Sequence, residues 1–404
     1  MLAQAIPAPG GPGKGFFVDG WADPAFLEHF GITRVGDLTG LDTVGIPVWF
    51  ACRPNSRGLA VSQGKGLSHA QARISAVMEC IEGAVAEQTE PLIACTASLA
   101  EMQAEGKATV PLQAMRRCRA DRIDPDRARC WVAGFNYFDR APTHAPYELV
   151  GLDMRSGTRW DHQAFLMTTI GLAAGPTVEH AALHALCELI ENDATTMIDL
   201  LGISGSGARE IDCSESGHAG LGEALAAIDA AGFTVRFFDV TGVIPIPVVA
   251  CFLEAPFHGG RRPAVGISAG FACRPSAGDA ALAALLEAVQ SRLTKIAGSR
   301  EDLSEASFRS GRARLPRTDA PPVRLDALRG PESTGAADML DRVAGLVREH
   351  SSIGELHIFP LLPDSAPFQV VRVLAAHMEA VVDDGVVKLG SHAIRRLLAL
   401  GGRR

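Results

Sequence analysis

No stretch of the chain reaches the roughly 18–20 continuous apolar residues that a membrane span needs. The opening MLAQAIPAPGGPGKG lacks both the charged start and the apolar core of a signal peptide. A cytoplasmic location is the expectation, with residues 1–20 read as a flexible Pro/Gly-rich tail. No CxxC occurs, and the nine cysteines are scattered. They suggest neither a disulfide framework nor a zinc site, and are read as buried free thiols. Aromatics are scarce at 6%, while there are 42 glycines. Small residues suit close helix-on-sheet packing better than an aromatic-rich all-β core. Net positive charge is also missing: the formal charge is −8 and the basic residues are dispersed, which argues against a nucleic-acid partner. Arg116, Arg117, Arg119 and Arg122, and the terminal Arg403–Arg404, are read as solvated exceptions. No HExxH or GxxxxGK[ST] is present, so nothing marks a zincin or a P-loop, and no nucleophile–base pair stands out. His180 and His184 are read as ordinary helix residues.

What is there is an alternation of strand-like and helical stretches along 404 residues, enough for a sizeable core. Residues 45–62 hold two apolar runs around RPNSRG, predicted as strands around a loop. Over 68–89, Ile74, Met78, Ile81 and Val85 recur at helical spacing, and Ser68 with Gln71 makes a capping-box start. CWVAGFNYF and YELVGLDM read as strands. Further helices are predicted over 178–200 (capped by Thr177), 220–232, 277–297 (closed by Gly298), 337–350 and 391–400. TVRFFDV, IPVVACFLE, LHIFPLL and FQVVRVLAA read as strands, and 299–335 as a surface excursion. The class is α/β or α+β. A tail and lead-in over 1–44 precede one domain over 45–404, with core motifs in 62–302 and C-terminal strands and a helix in 336–404.

Three segments share one grammar: GKGLSHAQARISAVMECIE (64–82), GLAAGPTVEHAALHALCELIE (171–191) and GISAGFACRPSAGDAALAALLEAVQ (266–290). Each begins with a glycine turn, enters a helix through a capping residue, and places Glu-x-x-Glu or Glu-x-x-Gln late in that helix. Gly66 to Glu79 and Gly175 to Glu188 both span 13 residues, and Gly270 to Glu287 spans 17. Residues three apart lie about 60° apart around a helix. Glu79 with Glu82, Glu188 with Glu191, and Glu287 with Gln290 therefore each face one way. If the three faces converge, their carboxylates share one cavity and repel one another unless cations are present. Oxygen-only ligands select hard ions such as Mg2+, which keeps part of its shell for substrate phosphates. Lys65 could add a direct phosphate contact beside a helix N-terminus.

These motifs, in this order and with PYELV (146–150) before the second, resemble the YcaO family. The resemblance covers 45–302 well and the C-terminal third more loosely. It implies a YcaO-like fold with an ATP site in which Glu79, Glu82, Glu188, Glu191 and Glu287 hold Mg2+ on the phosphates. Lys65, Ser75, Gln290 and Arg292 match further nucleotide-contacting positions. The implied activity is ATP-dependent phosphorylation of a peptide backbone amide, on a ribosomally made peptide or protein, without a protein nucleophile. A homodimer is expected on the same ground. Two positions depart from the family pattern: Gly83 and Asn192 stand where arginines usually follow the first two Glu-x-x-Glu pairs. That leaves open a subgroup with another balancing charge, or a non-catalytic accessory protein. A ligase or kinase acting on a small molecule is a further alternative. The chain ends LLALGGRR rather than in the proline-rich tail of azoline-forming members, and lacks the length of a fused peptide-binding domain. It is more similar to stand-alone members that act with a TfuA partner and a sulfur donor, whose chemistry is thioamide formation. Azoline formation by a cyclodehydratase is the alternative outcome.

Overall fold

A computed structural model describes residues 23–115, 122–256, 265–303, 314–351, 354–376 and 378, together with 394, 397 and 398. The apolar runs around RPNSRG form the hairpin β2 (Val48–Cys52) and β3 (Val61–Lys65). A strand from the lead-in, β1 (Arg34–Asp37), pairs antiparallel with β2 and completes a three-stranded sheet. Ahead of it, α1 (Pro24–His29) starts on the side-chain cap of Asp23 and buries Phe26 completely. The lead-in thus supplies a strand to the first sheet and residues to the core.

Helix α2 (His69–Ala86) starts where expected, with Ser68 Oγ accepting the Gln71 N–H. Gln71 in turn accepts from Leu67 N–H, one residue before the cap. The chain continues through β4 (Ile93–Ala97), α3 (Leu99–Ala104), α4 (Leu112–Met115), β5 (Arg129–Asn136) and β6 (Pro142–Pro146). YELVGLDM is not a strand. Tyr147–Val150 is a single helical turn, α5, opened by Pro146. It is held by Tyr147, which stacks on Trp160 at 4.4 Å and donates its hydroxyl to Ala86 O.

Next come β7 (Leu172–Gly175), α6 (Val178–Gly205), β8 (Arg209–Asp212), α7 (Ala219–Ala230), β9 (Thr234–Asp239), β10 (Val248–Glu254), β11 (Ile267–Cys273) and α8 (Ala277–Ala297). Helix α6 runs past residue 200 because Gly202, with φ of 66°, kinks the chain without ending it. Helix α8 stops at Gly298, in the left-handed region that glycine enters without penalty. Then follow β12 (Val323–Arg324), α9 (Ala336–His350), β13 (Leu356–Pro360) and β14 (Gln369–Ala375).

The second sheet has the order β11-β10-β9-β8-β12, and the third β4-β5-β13-β14-β7 with β6 also on β5. Among the described strands, β8 and β12 pair in parallel and the others antiparallel. This is a mixed α/β architecture in which each sheet ends on one particular strand: β3, β11 and β7. Each of those edge strands leads directly into a long helix, α2, α8 and α6.

Among the described residues no helix is long and apolar enough to cross a membrane. The eight described cysteines are free thiols, five of them buried. The N-terminal tail, Arg116, Arg117, Arg119, Arg403, Arg404 and most of the expected helix over 391–400 lie outside the described residues.

Candidate functional site

The three repeated motifs fold as three strand–helix units, β3–α2, β7–α6 and β11–α8, entered through caps at Ser68, Thr177 and Ser276. Gly171, which opens the second motif, is in a turn with φ of 79° as expected, whereas Gly64, Gly66, Gly175 and Gly270 do not have positive φ. They are points of close approach. A Cβ on Gly64 would lie 2.0 Å from the Ala76 nitrogen and 2.3 Å from the Ala72 oxygen. On Gly270 it would lie 2.3 Å from both Ala284 O and Ala288 N, and on Gly175 2.7 Å from Ala181 N. Each strand thus lies against the backbone of the helix that follows it. Lys65, expected beside a loop, is the last residue of β3.

An edge strand presents backbone groups that no neighbouring strand can pair. Here the motif carboxylates take several of them. Glu82 accepts the Ala174 N–H at 2.7 Å, Glu188 the Gly171 N–H at 3.0 Å and Glu191 the Cys273 N–H at 3.0 Å. Glu287 accepts from Phe271 at 3.4 Å, and Glu79 from the backbone of Gln63. The sheet edges therefore draw all five glutamates to one place, where each feels the charge of others in the set.

That crowding and loss of water act against ionisation. Desolvation, reinforced by neighbouring carboxylates and opposed by backbone N–H donors, pushes Glu82 and Glu191 up to about 8 and Glu188 to about 7. Glu79 is raised by desolvation, with Lys65 and Arg300 opposing. Glu79 keeps contact with solvent although protein surrounds it, so it lines a crevice rather than a dry core. On the same side Lys65 Nζ pairs with Glu287 at 3.1 Å.

The other expected contacts divide. Ser75 lies one turn before Glu79 on α2, its backbone against Gly64. Gln290 reaches across to Gln63 O at 2.9 Å. Arg292 is elsewhere: it is buried, paired with Asp42 at 2.6 Å, and stacked over Phe233. Five residues along a helix put it about 140° away from Glu287, so it ties α8 to the first sheet's approach loop and does not join the carboxylates.

Other residues at the site were not foreseen. His184, read as an ordinary helix residue, sits one turn before Glu188 in the field of Arg274 and Lys65. Desolvation and those two cations lower it to about 4, so it is a neutral imidazole near pH 7. Arg372, on β14 and 1% exposed, donates to Val150 O and Ile170 O while lying close enough to Glu188 and Glu82 to feel both charges. A single arginine inside the apolar run FQVVRVLAA was the available signal.

These cations bear on the two missing arginines. A Cβ on Gly83 would lie 3.6 Å from the Arg53 guanidinium, which occupies that space while paired with Glu87. Asn192 turns back to its own helix at Glu188 O. Positive charge reaches the carboxylates instead from Arg372, Arg274, Arg300 and Lys65.

Among the described residues no three His, Cys, Asp or Glu side chains already form a group that could hold a metal ion. The donor set does not fit a closed protein cage. It fits Mg2+ held by one or two carboxylates and completed by phosphate oxygens and water.

The geometry defines a class of site: strand–helix units joined around oxygen donors suited to a metal–phosphate ligand. The family follows from sequence comparison. A family model described as YcaO cyclodehydratase, ATP- and Mg2+-binding, matches residues 63–379. The chain belongs to the YcaO family of ATP- and Mg2+-dependent peptide-modifying enzymes. It is 34% identical over 386 residues to a protein encoded in the tfuA 3′ region of Rhizobium leguminosarum bv. trifolii, covering 92% of this chain and 89% of that one. A protein of Methanothermobacter thermautotrophicus is 30% identical over 296 residues, 72% of this chain and 73% of its own. Among solved structures, YcaO from Methanopyrus kandleri bound with AMPPCP and Mg2+ superposes with a TM-score of 0.67 at 23% identity, covering 90% and 91% of the two chains. A heterocyclase in complex with substrate and cofactor superposes with a TM-score of 0.72 at 18% identity, and this chain spans 52% of it. At these identities the structural likeness speaks for the fold.

Proposed function

We propose that this protein activates a peptide backbone amide with Mg–ATP and that the product is a thioamide. The convergence of Glu79, Glu82, Glu188, Glu191 and Glu287 on three sheet edges carries the reading of the site. These glutamates would hold Mg2+ against the nucleotide phosphates, with Lys65 as a direct phosphate contact. When bound, Mg–ATP supplies the phosphoryl group that turns the amide oxygen into a leaving group. The chain's own work is positioning and charge neutralisation. The glutamates would orient the ions, Lys65 and Arg274 would offset phosphate charge, and Arg372 offsets the charge of the carboxylates themselves.

The net change replaces the amide oxygen, lost as phosphate, with sulfur from sulfide; a persulfide donor would also need a thiol to reduce the S–S bond, leaving as a disulfide. Kinship to a protein encoded beside tfuA supports the thioamide outcome and a TfuA-like partner. Azoline formation remains the contrasting outcome, since the matching family model is described as cyclodehydratase.

Calorimetric titration with AMPPCP, with and without Mg2+, tests the site. Binding should require Mg2+ and weaken at least tenfold in both Glu79→Gln and Glu191→Gln. Unchanged binding in these variants would remove the assignment. Mass spectrometry of a peptide modified in the presence of a TfuA-like protein then separates the chemistries: exchange of oxygen for sulfur supports the proposal, and loss of one water contradicts it.

A further inference from the structure

The carboxylate pairs obey a rule that metal binding does not require. The first member of each pair bonds to the strand of its own unit: Glu79 to Gln63, Glu188 to Gly171 at the head of β7, and Glu287 to Phe271. The second member reaches the strand of the next unit. Glu82 on α2 takes Ala174 of β7, and Glu191 on α6 takes Cys273 of β11. Gln290 on α8 reaches Gln63 of β3, returning to the start. The three units are strapped head to tail in a closed ring.

At the third junction the polarity is reversed. Glu82 and Glu191 accept from backbone N–H groups, whereas Gln290 Nε2 donates to a backbone carbonyl at 2.9 Å. A carbonyl only accepts, so the amide NH2 must face it. A carboxylate there would set two acceptors against each other. Gln63 is fully buried and is the point where the ring closes. Its N–H serves Glu79, its C=O serves Gln290, and its side chain meets the Thr294 hydroxyl of α8. Two residues on, Lys65 reaches Glu287. The placement of Lys65 against the third unit therefore depends on the junction that Gln290 closes.

We infer that Gln290 is a positioning residue, the closing strap of a three-unit ring, and that this position requires an amide donor rather than another metal-binding oxygen. Its consequence for nucleotide rests on the reading of the five glutamates as the Mg–nucleotide site; the strap itself is a property of the nucleotide-free fold.

Two variants and two readouts test it. Gln290→Glu keeps size and oxygen donors but removes the NH2, while Gln290→Met keeps size and removes both. Amide hydrogen exchange in nucleotide-free protein should show the Gln63 N–H exchanging at least tenfold faster in both variants, with the Ile358 amide of β13 unchanged. Calorimetry at a temperature where circular dichroism shows both variants folded should give Mg–AMPPCP binding weakened at least tenfold in both. Gln290→Glu binding as tightly as the parent, or more tightly, would make the position a metal ligand and overturn the inference. So would unchanged Gln63 exchange, or a lower melting temperature with unchanged nucleotide affinity, which marks a merely structural role. If the parent protein itself binds no Mg–AMPPCP, the site reading fails, and the exchange data alone uphold or overturn the strap.

Discussion

Loading the site with Mg2+ and nucleotide should expel protons, and the number follows from the carboxylates. In the free protein Glu82 and Glu191 sit at about 8 and Glu188 at about 7. At pH 7 the first two are mostly protonated and the third is half protonated. A carboxylate must lose its proton to hold a metal ion, so Mg–AMPPCP binding should release up to about two protons per site at pH 7. Apparent affinity should rise roughly tenfold per pH unit for each proton expelled, and level off above the highest of these values. Calorimetry at pH 7 in phosphate and in Tris, whose ionisation heats differ widely, reads the release directly.

The nucleotide-free protein should show the matching stability signature. These carboxyl groups have folded pKa values above the unfolded value of 4.5. The folded state therefore binds their protons more tightly. That stabilisation is complete below the unfolded value and is lost as pH rises through about 7 to 8. The melting temperature of free protein should fall across that window, and saturating Mg–AMPPCP should flatten the fall. Binding heats identical in phosphate and Tris at pH 7 would refute the reasoning. They would mean that the glutamates are already ionised or that the metal does not touch them.

Other consequences concern packing and charge. Gly64→Ala must push β3 off α2, because the new methyl would meet helix backbone at 2.0 Å. A loss of about 3 kcal/mol in urea unfolding is expected, whereas Gly222→Ala in α7, with open space around it, should be neutral or slightly stabilising. Arg372→Met removes a fully buried cation that holds Val150 O and Ile170 O, and should cost about 3–5 kcal/mol by chemical denaturation. Arg292→Ala should lower stability through the lost Asp42 pair yet leave Mg–AMPPCP affinity within about twofold. Lys65→Ala, by contrast, should weaken that affinity by about tenfold or more.

Helix positions and the glutamate pairs were legible in the sequence because both are local. A cap, a period of 3.6 and a closing glycine all lie within one helix, and Ser68, Thr177 and Gly298 act where their spacing placed them. The threefold echo and the expectation of a shared carboxylate site needed no more than that. The tertiary structure decided what those residues face. Spacing alone made the motif glycines turns, which holds for Gly171, whereas the packing of strand on helix makes Gly64, Gly175 and Gly270 points where no side chain fits. Arg292 lies close to Glu287 in sequence, but its partner Asp42 is 250 residues away. Arg372 and His184 gained roles from charges on other elements. β1 joined the domain only by pairing with β2. The reversed donor at Gln290 depends on a carbonyl 227 residues earlier. A chain encodes its periodicity residue by residue, but the partner of a buried polar group is chosen only when distant elements dock and leave it no water to bond.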